Sequence, residues 1–151
     1  MSATFRTLIV GFGNPVRSDD GVGWHVARQL ADSLLRDDVR VVAAHQLLPE
    51  MAELASRAER VLFIDAAQAG DPGSIACETI HASAALEAYT HELSPEAVLA
   101  VAKELYGRSP AAFLLTVAGE SFATGDALTP KVSAAIPALL ARVRQFIHDE
   151  M

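Results

Sequence analysis

The sequence predicts one α/β domain of three layers, in which a mostly parallel central sheet is flanked by helices on both faces. Its 151 residues correspond to a single domain, which we expect to cover 1–151. The apolar runs are continuous rather than alternating, as in strands buried on both faces. These runs also alternate with amphipathic, helical patterns along the chain, which is the order typical of α/β folds.

The first half of the chain contains three predicted strands and two predicted helices. Leu8 to Val10 form a short apolar run that ends at Gly11, and Val22, Val26 and Leu30 recur with the spacing of one helix face. The strongest apolar run ends at an acidic residue, Asp65. We therefore expect strands at 8–10, 39–42 and 61–64, with helices at 22–34 and from Pro49.

The second half begins with a turn at 70–73, and a strand from about Ser74 to Ile80 follows it. We expect this strand to adjoin the strand at 61–64 directly. The single cysteine, Cys77, falls in its middle and is expected in the core. One cysteine excludes an intramolecular disulfide and a Cys-rich metal cage, and it favours a cytoplasmic location.

Two Pro-containing helix starts follow. Ser94, Pro95 and Glu96 supply a capping hydroxyl, a preset φ and a negative charge, and the helix should end at Gly107. After a strand at 113–117, Thr129 and Pro130 start the last helix in the same way. We expect Pro137 to kink or restart that helix.

The charge balance limits the classes of binding partner that we expect. The 12 Lys and Arg against 19 Asp and Glu give a net charge of −7, which opposes binding to nucleic acid and favours cations, including metal ions. The apolar start at 7–12 is too short to span a membrane and lacks a cleavage site, so we expect neither an export signal nor a membrane partner.

The most informative segment is the loop at 11–23, with the sequence GFGNPVRSDDGVG. It is not a dinucleotide fingerprint, because Val16 replaces the third small residue and two carboxylates follow, and it is not a P-loop. Asp19, taken alone, is explained by a role as a helix cap or dipole partner as well as by a functional role. Asp20, flanked by glycines at the carboxyl edge of the sheet, fits a ligand-contacting role better.

Two further residues join Asp20. Asp65 alone would be a turn cap, and His91 alone would be a surface histidine in a loop. Two carboxylates on one sheet edge repel unless one is protonated or a cation lies between them. Two Asp and one His suit a divalent transition metal with open positions. The sequence contains neither a His-Glu-x-x-His zincin helix nor a Gly-x-Ser-x-Gly nucleophile elbow.

The remaining histidines are weaker candidates. His25 falls inside the first helix, and His81 and His148 are expected to face solvent. His45 lies near a strand end and could take part in the outer shell of the site.

These motifs resemble the endopeptidases that mature the large subunit of nickel-iron hydrogenases. The family's opening signature is matched from Leu8 through Gly23, and its acidic strand end is matched by Phe63-Ile64-Asp65-Ala66. Thr90-His91 resembles its histidine segment, and the residues from Gly119 to Pro130 resemble its late loop and last helix start. The likeness covers almost the whole chain.

The resemblance implies that Asp20, Asp65 and His91 are both the catalytic and the nickel-contacting residues. It implies that the nickel arrives with the substrate, a hydrogenase large-subunit precursor from which a C-terminal extension is cut. A cation that polarises the scissile carbonyl, with a carboxylate as general base, would be sufficient chemistry. Either carboxylate could be the base.

One segment departs from the family. Many members carry Asp-Gly-Gly or Asp-Gly-Thr after the second strand, where this chain has Ala44 to Glu50, so the docking surface does not transfer directly. Two alternatives to the peptidase remain open on the same architecture. One is a nickel-sensing or scaffolding module without activity, and the other is a small hydrolase of a different ester or amide.

Overall fold

A computed structural model of the chain describes residues 4–34, 36–83 and 93–149. Within these residues five strands and four α-helices follow one another, with a short 3-10 turn at Ser18–Gly21. The strands are β1 (Phe5–Phe12), β2 (Val39–Ala44), β3 (Ala58–Ala67), β4 (Ile75–Ile80) and β5 (Ala111–Ala118). The helices are α1 (Val22–Ser33), α2 (Met51–Arg57), α3 (Pro95–Tyr106) and α4 (Pro130–His148).

The five strands form one sheet in the order β2-β1-β3-β5-β4. The first four are parallel, and β4 runs antiparallel to β5. The expected contact between the third and fourth strands is therefore wrong, because β5 lies between them. β5 buries Leu115 and Val117, whereas residues 76–79 of β4 are exposed, so the more apolar strand occupies the interior of the sheet.

Successive side chains of the central strands point to opposite faces of the sheet, so the core consists of two clusters, one on each face. Ile9, Leu62 and Ile64 pack under α1 and α4, and the neighbouring Leu8 and Phe63 pack under α2 and α3. The predicted fold class, a three-layer α/β/α arrangement with a mostly parallel sheet, is confirmed. None of the helices within the described ranges is long and apolar enough to cross a membrane.

Cys77 is exposed, so its expected place in the core is wrong. It pairs with Leu115 across the β4–β5 ladder. β4 is an edge strand whose residues 76–79 are all exposed, and a central position in such a strand does not bury a side chain.

The α3 boundaries are confirmed by their caps. The Ser94 hydroxyl accepts a hydrogen bond from the Ala97 amide at 3.1 Å, and Gly107 ends the helix with a φ of 77°.

Of the kink or restart expected at Pro137, the restart is wrong, because α4 is continuous from Pro130 to His148. Pro137 removes the amide that would have bonded the Ser133 carbonyl, and both residues lie on the exposed face, where water can replace that bond. At its carboxyl end α4 is held by the buried Arg60, which donates to the carbonyls of Phe146 and Ile147 at 2.5 and 3.1 Å.

Helix α1 approaches the sheet at backbone distance. A Cβ on Gly23 would lie 2.2 Å from the Ile64 carbonyl oxygen, and a Cβ on Gly11 would lie 2.0 Å from the Gly23 carbonyl oxygen. Both distances are far below van der Waals contact. The start of α1 is therefore fixed against β1 and β3, and this contact sets the position of the loop that precedes it.

We expect Gly23→Ala to lower the free energy of unfolding by about 3 kcal/mol, because the backbone of α1 or β3 must shift to admit the methyl group. Urea unfolding followed by circular dichroism measures the change. Gln29→Ala, at an exposed position of the same helix, is the matched control and should change stability by less than about 0.5 kcal/mol. Equal stability of Gly23→Ala and wild type would contradict the close approach.

Candidate active site

A cleft of about 360 Å³ opens at the carboxyl end of the sheet. β2 and β3 lie on opposite sides of β1, so the strand order reverses at β1. The cleft lies at this switch point, where α/β sheets bind ligands. Its lining comes from residues within 12–20, 45–47 and 65–68 and from Leu93. A larger cavity, about 500 Å³, lies at the other end of β5 and contains neither predicted carboxylate.

Asp20 lines this cleft from the 3-10 turn that precedes α1. Its Oδ2 accepts a hydrogen bond from the Asn14 amide at 2.8 Å. The Asn14 side chain in turn accepts one from the Val16 amide at 3.0 Å, which closes the loop on itself. The carboxylate is therefore held in a fixed orientation by the backbone of its own loop.

Asp65 lines the same cleft, so the structure brings the two predicted carboxylates together there. Its Oδ1 accepts a hydrogen bond from the Ala66 amide at 2.8 Å. The expectation that Asp65 ends its strand is corrected: β3 continues to Ala67, because Asp65, Ala66 and Ala67 pair with Thr116, Val117 and Ala118 of β5. The side chain thus projects from a paired and rigid stretch of strand.

His91 lies outside the described residues, so its place beside the two carboxylates stays a prediction. Within 4–34, 36–83 and 93–149, no three His, Cys, Asp or Glu side chains are close enough to hold a metal ion. The third ligand of the predicted set therefore depends on His91.

Of the other histidines, His45 is exposed and lines the cleft, and its ring centroid lies 5.9 Å from that of Trp24. Burial lowers the pKa of His25. His81 and His148 are exposed, as the sequence indicated.

Asp19 has a different role from Asp20, the next residue in the chain. Its side chain is fully buried and accepts four hydrogen bonds, from the amides of Glu120, Ser121 and Thr129 at 2.8, 3.1 and 2.8 Å and from the Thr129 hydroxyl at 2.8 Å. Burial raises the pKa of Asp19, but these hydrogen bonds to the charged form outweigh it and hold the pKa below its usual value.

Asp19 is therefore not a cap of α1. The expected side-chain cap of α4 by Thr129 is also wrong. The Thr129 hydroxyl donates to Asp19 instead. No local sequence signal could have shown this role, because the donors lie more than 100 positions further along the chain.

Backbone contacts reinforce the same junction between the 13–21 loop and the loop after β5. The Ser18 amide donates to Gly125 O at 2.8 Å, the Asp19 amide donates to Ser121 O at 3.0 Å, and the Gly125 amide donates to Val16 O at 2.9 Å. Ser18 adopts a positive φ of 52° at this point. Hydrogen bonds thus hold the loop that carries Asp20 against the loop that follows β5.

We expect Asp19→Asn to destabilise the protein by about 2 to 3 kcal/mol at neutral pH, because an amide nitrogen would meet backbone and hydroxyl donors in a buried site. Since folding lowers the pKa of Asp19, its contribution should be present above the usual value of 3.8 and be lost as pH falls through the lower pKa of the folded state. Urea unfolding between pH 2 and pH 7 measures both effects.

Asp126→Asn, an exposed carboxylate in the same late loop, is the matched control and should leave stability unchanged. A difference between wild type and Asp19→Asn that stayed constant down to pH 2 would contradict the role of the charged carboxylate.

Comparisons with known proteins give the fold a context. No family model matches the chain, and no curated protein matches it. Solved structures do. A hydrogenase 2 maturation peptidase from a Thaumarchaeota archaeon is 25% identical with a TM-score of 0.72, and the match covers 96% of this chain and 99% of that one.

Two structures from Escherichia coli are also similar. The hydrogenase maturating endopeptidase HybD is 23% identical with a TM-score of 0.77, and the match covers 95% of this chain and 92% of that one. An endopeptidase solved in solution is 25% identical with a TM-score of 0.71, with coverage of 92% and 90%. The named relatives are peptidases, the enzyme class that the sequence indicated. The resemblance of this chain to the hydrogenase maturation endopeptidases is thereby confirmed over nearly its whole length.

Proposed function

We propose that this chain is an endopeptidase that removes a C-terminal extension from the large-subunit precursor of a nickel-iron hydrogenase. The observation that carries the proposal is the pair of carboxylates, Asp20 and Asp65, lining one cleft at the switch point of a maturation-endopeptidase fold. The location that fits this substrate is the cytoplasm, and the net charge of −7 opposes a nucleic acid as partner.

The ligand chemistry supports nickel as part of the substrate. Asp20 and Asp65 supply oxygen donors, and His91 supplies an imidazole nitrogen. Two oxygens and one nitrogen leave open coordination positions on a divalent transition metal, which the precursor's own ligands can fill. The proposed metal site is therefore completed only when the precursor docks.

The proposed hydrolysis needs a base, an electrophile and a path for one proton. A carboxylate of the cleft, Asp20 or Asp65, accepts a proton from water as the water oxygen bonds to the scissile carbonyl carbon. The metal carried by the precursor stabilises the negative charge that develops on the carbonyl oxygen. When the C–N bond breaks, the proton passes to the leaving amine, so the carboxylate returns to its starting state.

Asp20→Asn should lower the rate of precursor trimming at least about 100-fold without changing the fold, because the amide keeps the size of the side chain but can neither accept a proton nor offer a charged oxygen to the metal. His91→Ala should have a comparable effect through the loss of a metal ligand. Mass spectrometry of nickel-loaded precursor incubated with each variant measures trimming, and circular dichroism verifies folding. Asp37→Asn, an exposed carboxylate outside the cleft, is the control. Normal trimming by both variants would exclude the proposed roles.

Trimming should require nickel in the precursor. We expect a loaded precursor to lose its extension and a nickel-free precursor to stay intact under the same conditions, because the cleft contacts the metal together with the substrate. The mass of each precursor before and after incubation is the measurement. Binding of the loaded precursor without any loss of mass would instead support a sensing or scaffolding module. Turnover of small esters or amides with an intact precursor would support a hydrolase of another kind.

A further inference from the structure

Among the described residues that line the cleft, one side chain is cationic and two are carboxylates. Arg17 lines it together with Asp20 and Asp65 and is exposed to solvent. Across residues 4–34, 36–83 and 93–149, the guanidinium group makes neither an ion pair nor a side-chain hydrogen bond, and the three described ion pairs lie elsewhere. A solvent-exposed positive charge thus lines a cleft that also contains two carboxylates.

The backbone under this side chain is fixed on both sides. The Arg17 amide donates to Asn14 O at 3.0 Å, and the Arg17 carbonyl accepts from the Asp20 amide at 3.1 Å. A β-bridge also joins Arg17 to Gly125 of the late loop. Because the Cα is held in place, binding a ligand orders only the side chain, which lowers the entropic cost of the contact.

We propose that Arg17 binds a carboxylate group of the precursor segment that enters the cleft, and thereby sets the register of that segment against Asp20 and Asp65. This inference rests on the proposed function and adds a specificity residue to it. A guanidinium is a planar fork of donors that matches a carboxylate in a two-point contact. The carboxylate is either an acidic side chain next to the scissile bond or the C-terminal carboxylate of the extension.

The charges explain why this contact sets the register. Asp20 and Asp65 repel a substrate carboxylate, and Arg17, which lines the same cleft, attracts it. The net charge of −7 opposes nonspecific attraction of an acidic group to the protein as a whole. A precursor segment with one carboxylate at the right place therefore has one preferred placement.

The test compares wild type, Arg17→Ala and Arg17→Lys on nickel-loaded precursors, with kcat/KM for trimming as the measurement. Arg17→Ala should lower kcat/KM about tenfold to hundredfold, the loss expected for a charge-assisted hydrogen bond, and Arg17→Lys should recover part of it. The matched control is Arg144→Ala, at an exposed position of α4 outside the cleft, which should behave as wild type.

Altered precursors identify the carboxylate. In one arm the acidic side chains that flank the scissile bond are changed to the corresponding amides, and in the other arm one neutral residue is added after the C-terminus. In the arm that removes or displaces the partner of Arg17, wild type and Arg17→Ala should have equal kcat/KM.

If wild type trims the precursor and Arg17→Ala trims it equally well, the inference about Arg17 is overturned and the proposed function stands. If wild type and Arg17→Ala still differ in kcat/KM on both altered precursors, the inference is also overturned, since neither substrate carboxylate would then be coupled to Arg17. If wild type leaves the loaded precursor uncut, both proposals fail.

Discussion

The carboxylate of Asp19 is the interaction on which the candidate site depends. A buried charge is unfavourable unless hydrogen bonds replace its water, and here the replacement comes from Glu120, Ser121 and Thr129. These donors belong to the connection between β5 and α4, so one side chain joins the start of the chain to its last third. Asp20 is the next residue along, and its position follows from that junction.

The glycines of the 11–23 loop serve close packing of backbone rather than phosphate binding. Gly11 and Gly23 allow α1 to touch the sheet, and Gly13, with a φ of 147°, lies where a Cβ would be 1.8 Å from the Asp20 carbonyl oxygen. The Gly-x-Gly start, which in a dinucleotide site lets phosphate approach, here lets the backbone of the turn between β1 and α1 pack closely. In this tightly packed loop the Asp20 side chain lines the cleft, at the place where a nucleotide-binding loop would present backbone amides.

Features encoded locally could be predicted from the sequence, and features that depend on distant partners could not. The limits of α3 follow from Ser94 and Gly107, whose caps involve only nearby residues. The place of Asp20 and Asp65 in one cleft follows from a rule about parallel strands. By contrast, the position of β4 at the sheet edge, and with it the exposure of Cys77, depends on which strand pairs with β3.

Asp19 and Asp20 show how adjacent carboxylates acquire different chemistry. A carboxylate has about four acceptor sites, and the four hydrogen bonds to Asp19 occupy that capacity in a buried position. A group stabilised in this way as an anion is a poor base, as the lowered pKa of Asp19 indicates. Asp20 receives the Asn14 amide and lines the cleft, so acceptor capacity is left for a ligand or for a proton. The neighbours are thus not interchangeable, because the charge of Asp19 is committed to buried hydrogen bonds within the fold, whereas Asp20 lines the cleft.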